Sequence, residues 1–338
     1  MPAGTPELRA AIATKLQRDN GLSYDPATEV TVGVGGKQVI YNAMMATLEP
    51  GDEVVLLAPY FVSYPDQVRL AGGEPVVVTC RIENGFRPTR ADLEAAITPR
   101  TRWVILNSPS NPSGAVFSAD DLRMIGDVVA PHDRVLVLSD EIYESIIFTG
   151  SSFTSFATAC PDLRDRTLTV NGLAKSHAMT GWRIGYGAGP AGLIAAMTKL
   201  TSQSTTAACT ISQAAAVEAL LGDQSFVTTS CKRYEERRNL LVAGFADVPL
   251  LEVFAPEGAF YVFADCSAMI GKRTPEGNTI ANDTDAATYL LRHGRVAGVP
   301  GAAYGVEPYV RFSLATSEAQ LEQALTQLAA ATSQLTGA

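Results

Sequence analysis

The chain has 338 residues, of which 46% are hydrophobic and 18% charged, with a formal net charge of −9. That length suits about two domains and that balance a globular rather than a disordered chain. An acidic surplus with no basic run excludes the clustered positive face that nucleic-acid binding needs. No apolar run approaches the roughly 20 residues of a membrane span, and the first twenty residues lack a signal-peptide core. A cytoplasmic protein without membrane contact is the expectation. Cys80, Cys160, Cys209, Cys231 and Cys266 are scattered, with no CxxC pair, and His132, His177 and His293 show no ligand spacing. Neither a metal site nor a disulfide framework is expected.

In chain order, Thr5-Pro6-Glu7 reads as a cap, first-turn proline and first-turn acid, with Leu8, Ile12 and Leu16 following at helical spacing. Val30 to Val34 reads as a strand. Gly35-Gly36 then opens a helix carrying Ile40, Met44 and Leu48 on one face. A turn at Pro50-Gly51-Asp52 precedes a buried strand, Val54 to Leu57, and Pro75 to Val78 is another. Thr89-x-x-Asp92 resembles a capping box. Apolar runs at Trp103 to Leu106, Val135 to Leu138, Leu168 to Val170 and Ile184 to Tyr186 fit strands covered on both faces. From about residue 190 the pattern is helical, ending in a polar helix around Lys232 to Leu241. The tail mixes a strand at Ala259 to Ala264, a polar loop from Gly271 to Asn282, a helix near Ala286 to His293, a strand at Tyr309 to Leu314 and a last helix capped by Ser317 and Gln320. Alternating elements followed by this tail predict an α/β domain and a smaller C-terminal α+β domain.

Six local patterns carry polar chemistry, and each has a plain structural reading beside the functional one. Val32-Gly33-Val34-Gly35-Gly36-Lys37-Gln38 is a glycine turn entering a helix, suited to an anion or simply to a tight turn; it lacks the dinucleotide-binding spacing. Asn107 to Gly114 follows a strand, where open α/β sheets place ligands and where turns also occur. Asp140, in Ser139-Asp140-Glu141-Ile142-Tyr143, is a carboxylate ending a buried strand. It needs a cationic or hydrogen-bonding partner, unless it caps a helix. Lys175 lies among Gly172, Ala174 and Ser176, where partial desolvation would favour a neutral, nucleophilic amine. Arg183, beside small residues, suits a phosphate or a salt bridge. Arg311 sits in an apolar strand and requires an anion, either a ligand carboxylate or a structural partner.

These pieces, in this order, resemble the class I/II aminotransferases, pyridoxal-phosphate enzymes of fold type I. The likeness is nearest to the bacterial aspartate aminotransferase subgroup. The stretches ILNSPSNPSGAVFS, LSDEIYESIIF, TVNGLAKSHAMTGWRIGYGAGP, PEGAFYVFAD and YVRFSLATSEAQLEQAL carry it, and it runs through essentially the whole chain. The resemblance implies a large domain with a mostly parallel seven-stranded sheet between helices. It divides the chain into an N-terminal helix at 1–25 packing with the small domain, a cofactor domain at 26–245 and a small domain at 246–338. It also implies pyridoxal 5′-phosphate as cofactor and a homodimer with active sites near the interface.

By motif, Lys175 is implied to hold the cofactor as a Schiff base and to move the substrate proton. Asp140 is implied to pair with the ring nitrogen, and Tyr143 and Asn111 with the ring oxygen. Gly36, Lys37, Gln38 and Arg183 are implied to bind phosphate, Phe61 to stack on the ring, and Arg311 to clamp the substrate carboxylate with Asn111 nearby. Phe61 stands where relatives usually carry Trp, and Gly172 and Ala174 where many have hydroxyls. Relatives also carry an N-terminal arm ahead of the Pro-Glu-Leu-Arg helix. Met1 begins after that segment, which implies that substrate closure and a dimer contact are affected. The function implied is ping-pong transamination of an aspartate-like or aromatic amino acid with 2-oxoglutarate. A carbon–sulfur lyase on the same scaffold and a truncated, non-catalytic protein of this fold are the alternatives.

Overall fold

The computed structural model describes residues 1–337. Helix α1 (Pro6–Lys15) starts at Thr5, whose side chain accepts from the Leu8 N–H as its sequence predicts. A π-helical turn (Leu16–Asn20) follows, then strand β1 (Val30–Val34), α2 (Gly36–Thr47), β2 (Glu53–Ala58), α3 (Tyr64–Leu70) and β3 (Glu74–Thr79). The middle of the chain adds α4 (Arg90–Ala96), β4 (Thr101–Asn107), α5 (Ala119–Val129), β5 (Leu136–Asp140), α6 (Phe156–Ala159), β6 (Thr167–Gly172) and β7 (Ile184–Ala188). Helices α7 (Ala191–Gln203), α8 (Thr210–Leu221) and α9 (Ser225–Phe245) lead to the tail. There β8 (Glu252–Val253), β9 (Tyr261–Asp265), α10 (Asp283–Gly294), β10 (Val299–Pro300), β11 (Tyr309–Ser313) and α11 (Glu318–Thr332) complete the chain.

Seven strands form one sheet in the order β1-β7-β6-β5-β4-β2-β3. The run from β3 through β6 is parallel, whereas β7 is antiparallel to both β6 and β1. The reason is the connection. Parallel neighbours need a crossover helix, but only an eleven-residue loop without an α-helix joins β6 to β7, so the chain turns straight back. That loop carries Lys175. Register aligns Asn107 of β4 with Asp140 of β5, and Asp140 with Val170 of β6, so the carboxyl ends of three adjacent strands open on one spot.

Helix α1 departs from the expected packing. Its face of Leu8, Ile12 and Leu16 enters a core with Val30, Val32, Tyr186, Ala188 and Leu220, all from the seven-stranded sheet and its covering helix α8. The i, i+4, i+8 spacing gives it one apolar stripe, and the sheet end at β1 and β7 supplies the surface that stripe needs. Beyond it, the buried Lys15 ammonium pairs with Glu144 and donates to Asn20 Oδ1 (2.7 Å), while Asn20 Nδ2 donates to Glu144 Oε2 (2.8 Å). This closed ring fastens the chain's beginning to the loop after β5.

The tail forms a four-stranded antiparallel sheet, β10-β11-β9-β8, covered by α9, α10 and α11. Its core also takes in Tyr143, Ile146 and Phe148 from the loop after β5. The strand predicted from Ala259 begins instead at Tyr261. Ala259 has φ 58°, and its N–H is spent on the Ile146 carbonyl (2.9 Å) rather than on a neighbouring strand. The polar loop at 271–282 folds back on itself and pairs Arg273 with Thr336. The two-residue strands β8 and β10 are too short to leave a pattern in the sequence. Helix α5 carries a full capping box at Ser118 and Asp121.

Candidate active site

A cavity of about 350 Å³ opens where β4, β5 and β6 end. Its walls include Lys37, Phe61, Asn111, Asp140, Tyr143, Lys175, Arg183 and Arg311, so the structure brings together side chains up to 274 positions apart in the sequence.

The glycine turn and Arg183 form one face. Gly35 has φ 81°, a left-handed backbone, and ends against the Arg183 guanidinium, leaving no room for a side chain. Gly185 of β7 lies so close to the Gly35–Gly36 backbone that a Cβ there would overlap it. Arg183 itself has φ 55°, and its Nη1 donates to the Thr180 carbonyl (2.9 Å). A guanidinium and the first-turn N–H groups of α2 thus converge, which is the chemistry an anion requires. Gly36 and Lys37 line this region. The side chain of Gln38 does not: its Oε1 accepts from the Val34 N–H (2.6 Å) and its Nε2 donates to Thr205 Oγ1 (2.6 Å). Gln38 braces the strand-to-helix turn from behind, because its amide satisfies a backbone donor that the glycine turn would leave open.

Asp140 forms the floor. It is the last residue of β5 and starts no helix, so the capping alternative falls away. Its Oδ2 accepts from Tyr64 Oη (2.7 Å) and its Oδ1 from the Ile142 N–H (3.3 Å). Burial pushes its pKa up to about 6, against the lowering effect of those bonds and of the Lys175 charge. A buried carboxylate whose closest partners are a neutral hydroxyl and an amide lacks a cation, and a positively charged ligand ring would supply it.

Lys175 projects from the β6–β7 loop, half-buried, with Nζ 5.3 Å from the Phe260 ring centre and 5.8 Å from that of Tyr143. Burial, and then the positive charges of Arg311 and Arg183, lower its pKa, which favours the neutral nucleophilic amine. Tyr143 is buried, its hydroxyl 2.9 Å from that of Tyr261, and burial holds it well above the ordinary tyrosine range. Phe61 packs edge-on to Tyr64 at 5.5 Å and carries the Lys37 ammonium over its ring at 5.2 Å.

Arg311 comes from β11. Its Nη1 donates to Asn111 Oδ1 (2.8 Å), its plane lies over the Tyr261 ring at 4.2 Å, and its buried Nε has no partner. Among the described residues it forms no ion pair, so a carboxylate is the missing partner. Asn107 ties the two halves: its Nδ2 donates to the Asp140 carbonyl (3.0 Å) and its Oδ1 accepts from the Asn111 N–H (2.8 Å).

Sequence reasoning did not single out Tyr64, Tyr261, Gly185 or the individual role of Asn107. Tyr64 and Tyr261 have no motif of their own, since an aromatic in a helix or strand normally reads as core. Gly185 did carry a signal, in the alternating glycines of Ile184-Gly185-Tyr186-Gly187, because a strand glycine marks a close backbone approach.

Comparison with known proteins agrees with this geometry. The family profile described as aminotransferase class I and II matches residues 1–328. An aspartate aminotransferase of Rhizobium meliloti (strain 1021) is 51% identical over 332 residues, covering 98% of this chain and 81% of the relative. An aspartate/prephenate aminotransferase of Cereibacter sphaeroides is 50% identical over 327 residues, covering 97% and 82%. The crystal structure of an aspartate aminotransferase from Rhizobium meliloti superposes with a TM-score of 0.96 at 50% identity, covering 99% of this chain and 83% of that one. No helix among the described residues is long and apolar enough to cross a membrane, and no cluster of metal-ligating side chains occurs among them. The chain belongs to the class I and II aminotransferases and is a pyridoxal 5′-phosphate enzyme that transaminates amino acids.

Proposed function

We propose that this aminotransferase takes aspartate, or a similar dicarboxylic or aromatic amino acid, as donor and 2-oxoglutarate as acceptor. The observation that carries the reading is Arg311, whose buried Nε has no partner among the described residues and which lines a cavity that also holds Lys37 and Arg183. Three cations around one cavity suit a phosphate and the α-carboxylate of an amino acid together. The printed names of the two curated relatives, aspartate and aspartate/prephenate aminotransferase, support the same donor. A single carboxylate clamp favours a ping-pong order, in which donor and acceptor use the site in turn.

The side chains fit the cofactor. Asp140 lacks a strong cationic partner, the Gly35–Gly36 turn and Arg183 make an anion cup, and Lys175 offers a desolvated amine. When bound, pyridoxal phosphate supplies an electron sink for the charge left at the substrate Cα. Asp140 would hold a proton at the ring nitrogen. Lys175 would attach the cofactor and, once released from it, carry the proton to and from the Cα. Tyr143 would face the ring oxygen, and Asn111 would offer it Nδ2 while Oδ1 accepts from Arg311. Gly36, Lys37 and Arg183 would take the phosphate, Phe61 the ring face and Arg311 the α-carboxylate, turning the Cα–H bond toward Lys175. Gln38 would act only by bracing the turn.

The division into residues 1–25, 26–245 and 246–338 belongs to this proposal, with the first segment seated on the large domain. So does a homodimer. Tyr41, Met45 and Leu70 are exposed on α2 and α3, and a surface groove including Tyr41 and Leu70 shares Lys37 and Arg183 with the cavity. An interface there would border the active site. Sedimentation equilibrium of the cofactor-loaded protein is expected to give twice the 35.7 kDa chain mass; a monomer at micromolar concentration removes the dimer from the proposal.

The substrate reading is tested by adding amino acids one at a time to the loaded protein. Aspartate should convert the cofactor's absorbance to that of its amine form, and 2-oxoglutarate should restore it. If no amino acid converts it, transfer from these donors is wrong. If pyruvate and ammonia appear without any acceptor, the outcome is that of a lyase.

A further inference from the structure

Tyr261 touches two parts of the site at once, and it belongs to none of the six sequence patterns. Its ring is the floor under Arg311, 4.2 Å from the guanidinium carbon. Its hydroxyl is 2.9 Å from the Tyr143 hydroxyl, with the rings edge to face at 5.9 Å. Strand register explains both contacts. Tyr261 pairs with Ser313 across β9 and β11, two residues from Arg311 on the same strand, while the loop after β5 packs into the same small-domain core. Tyr143 is 3% exposed and Tyr261 6%, and Tyr261 lines the cavity. Among the described residues each hydroxyl has the other as its only side-chain bond.

A phenol has one proton and can accept as well as donate. If Tyr143 donates to an oxygen on the ligand, it cannot also donate to Tyr261. The proton between the two phenols must then come from Tyr261. We propose that Tyr261 is a positioning residue: its hydroxyl donates to Tyr143, orients the Tyr143 proton into the cavity and strengthens it as a donor to the cofactor's ring oxygen. Bonds in series polarise one another, so the second donor acts on the cofactor without touching it. This rests on the role proposed for Tyr143. The same side chain supports the carboxylate clamp through its ring, so its two halves serve different steps: the hydroxyl serves the cofactor, the ring serves the substrate.

The two halves can be separated. Tyr261→Phe removes the hydroxyl and keeps the ring under Arg311; Tyr261→Ala removes both. The readout is the pH midpoint of the absorbance change of the protein loaded with pyridoxal phosphate, since a donor to the ring oxygen favours the deprotonated form. In Tyr261→Phe this midpoint should rise by about 0.5 unit and kcat fall about fivefold, the worth of one neutral hydrogen bond, with KM for aspartate within twofold. Tyr261→Ala should add a rise in KM. Tyr143→Phe should raise the midpoint further, and in that background Tyr261→Phe should add nothing. If Tyr143→Phe shifts the midpoint and Tyr261→Phe does not, the relay is wrong. An additive double variant also overturns it. If Tyr143→Phe itself leaves the midpoint unmoved, the underlying role of Tyr143 has failed instead.

Discussion

Replacing Lys175 with alanine is expected to abolish turnover, with kcat lower by at least roughly 10⁴-fold. Two losses coincide. The amine is the group that can bond the cofactor covalently, and it is also the base placed over the cavity. Other cations line the cavity, but Arg183 and Arg311 carry guanidinium groups rather than a primary amine, and the Lys37 ammonium is seated over the Phe61 ring on the phosphate side. Borohydride reduction followed by mass spectrometry separates the losses. The parent chain should gain the mass of one reduced pyridoxal phosphate and Lys175→Ala none. Cofactor should still be held non-covalently through the anion cup and Asp140. If the alanine variant retains the covalent adduct, another lysine carries it and the site has been assigned wrongly. If it keeps more than about a hundredth of parental activity, the base is elsewhere.

Asp140→Asn is expected to make the cofactor-free protein more stable and the loaded enzyme inactive. Burial raises this carboxyl from 3.8 to about 6, so the folded chain holds the proton more tightly than the unfolded one. Stability is then greatest below the unfolded value. It falls as pH climbs toward 6, where the buried group ionises, and the loss amounts to roughly 3 kcal/mol above that. An amide keeps an oxygen for the Ile142 N–H and never ionises. At pH 8 the melting temperature of the cofactor-free variant should exceed that of the parent by a few degrees, and at pH 4 the two should coincide. Turnover should fall by about 10³-fold or more, because a neutral amide cannot hold a charge at the ring nitrogen. A variant that melts lower than the parent at pH 8 would show that the carboxylate is already compensated in the protein. Activity within tenfold of the parent would remove Asp140 from the chemistry. The native aspartate is thus kept at the expense of stability, as expected of a buried charge that waits for a partner.

Much of this was legible in the sequence because each pattern is short-range. The apolar runs at Trp103 and Val135 read as buried strands since they are continuous, and Thr5, Thr89 and Ser317 read as helix caps since each cap bonds an N–H three residues on. The resemblance names ten candidate site residues, and the structure brings nine of them to one cavity, all except Gln38. The misses have a common cause. Gln38 has the right place in the chain, but its direction depends on Thr205, 167 residues away. Tyr64 and Tyr261 act through hydroxyls that meet Asp140 and Tyr143 only after the fold has closed. The seat of α1 was misjudged because an apolar stripe names a need for burial and not the surface that meets it.

The buried ring of Lys15, Asn20 and Glu144 bears on the order in which this protein can be made. The loop from Asp140 to Glu144 is held on one side by residues near the start of the chain, across 129 positions, and on the other by a core that closes only with β9 and β11. Asn111 gains its partner Arg311 across 200 positions. Closing such loops costs chain entropy before any contact repays it, so contacts of this span form late. A growing chain could complete most of its parallel sheet during synthesis, yet the cavity would lack a wall until residue 311 had emerged and docked. Closure of the carboxylate clamp therefore marks the last stage of folding, whereas the residues proposed to hold the cofactor, from Gly36 to Arg183, all leave the ribosome before it.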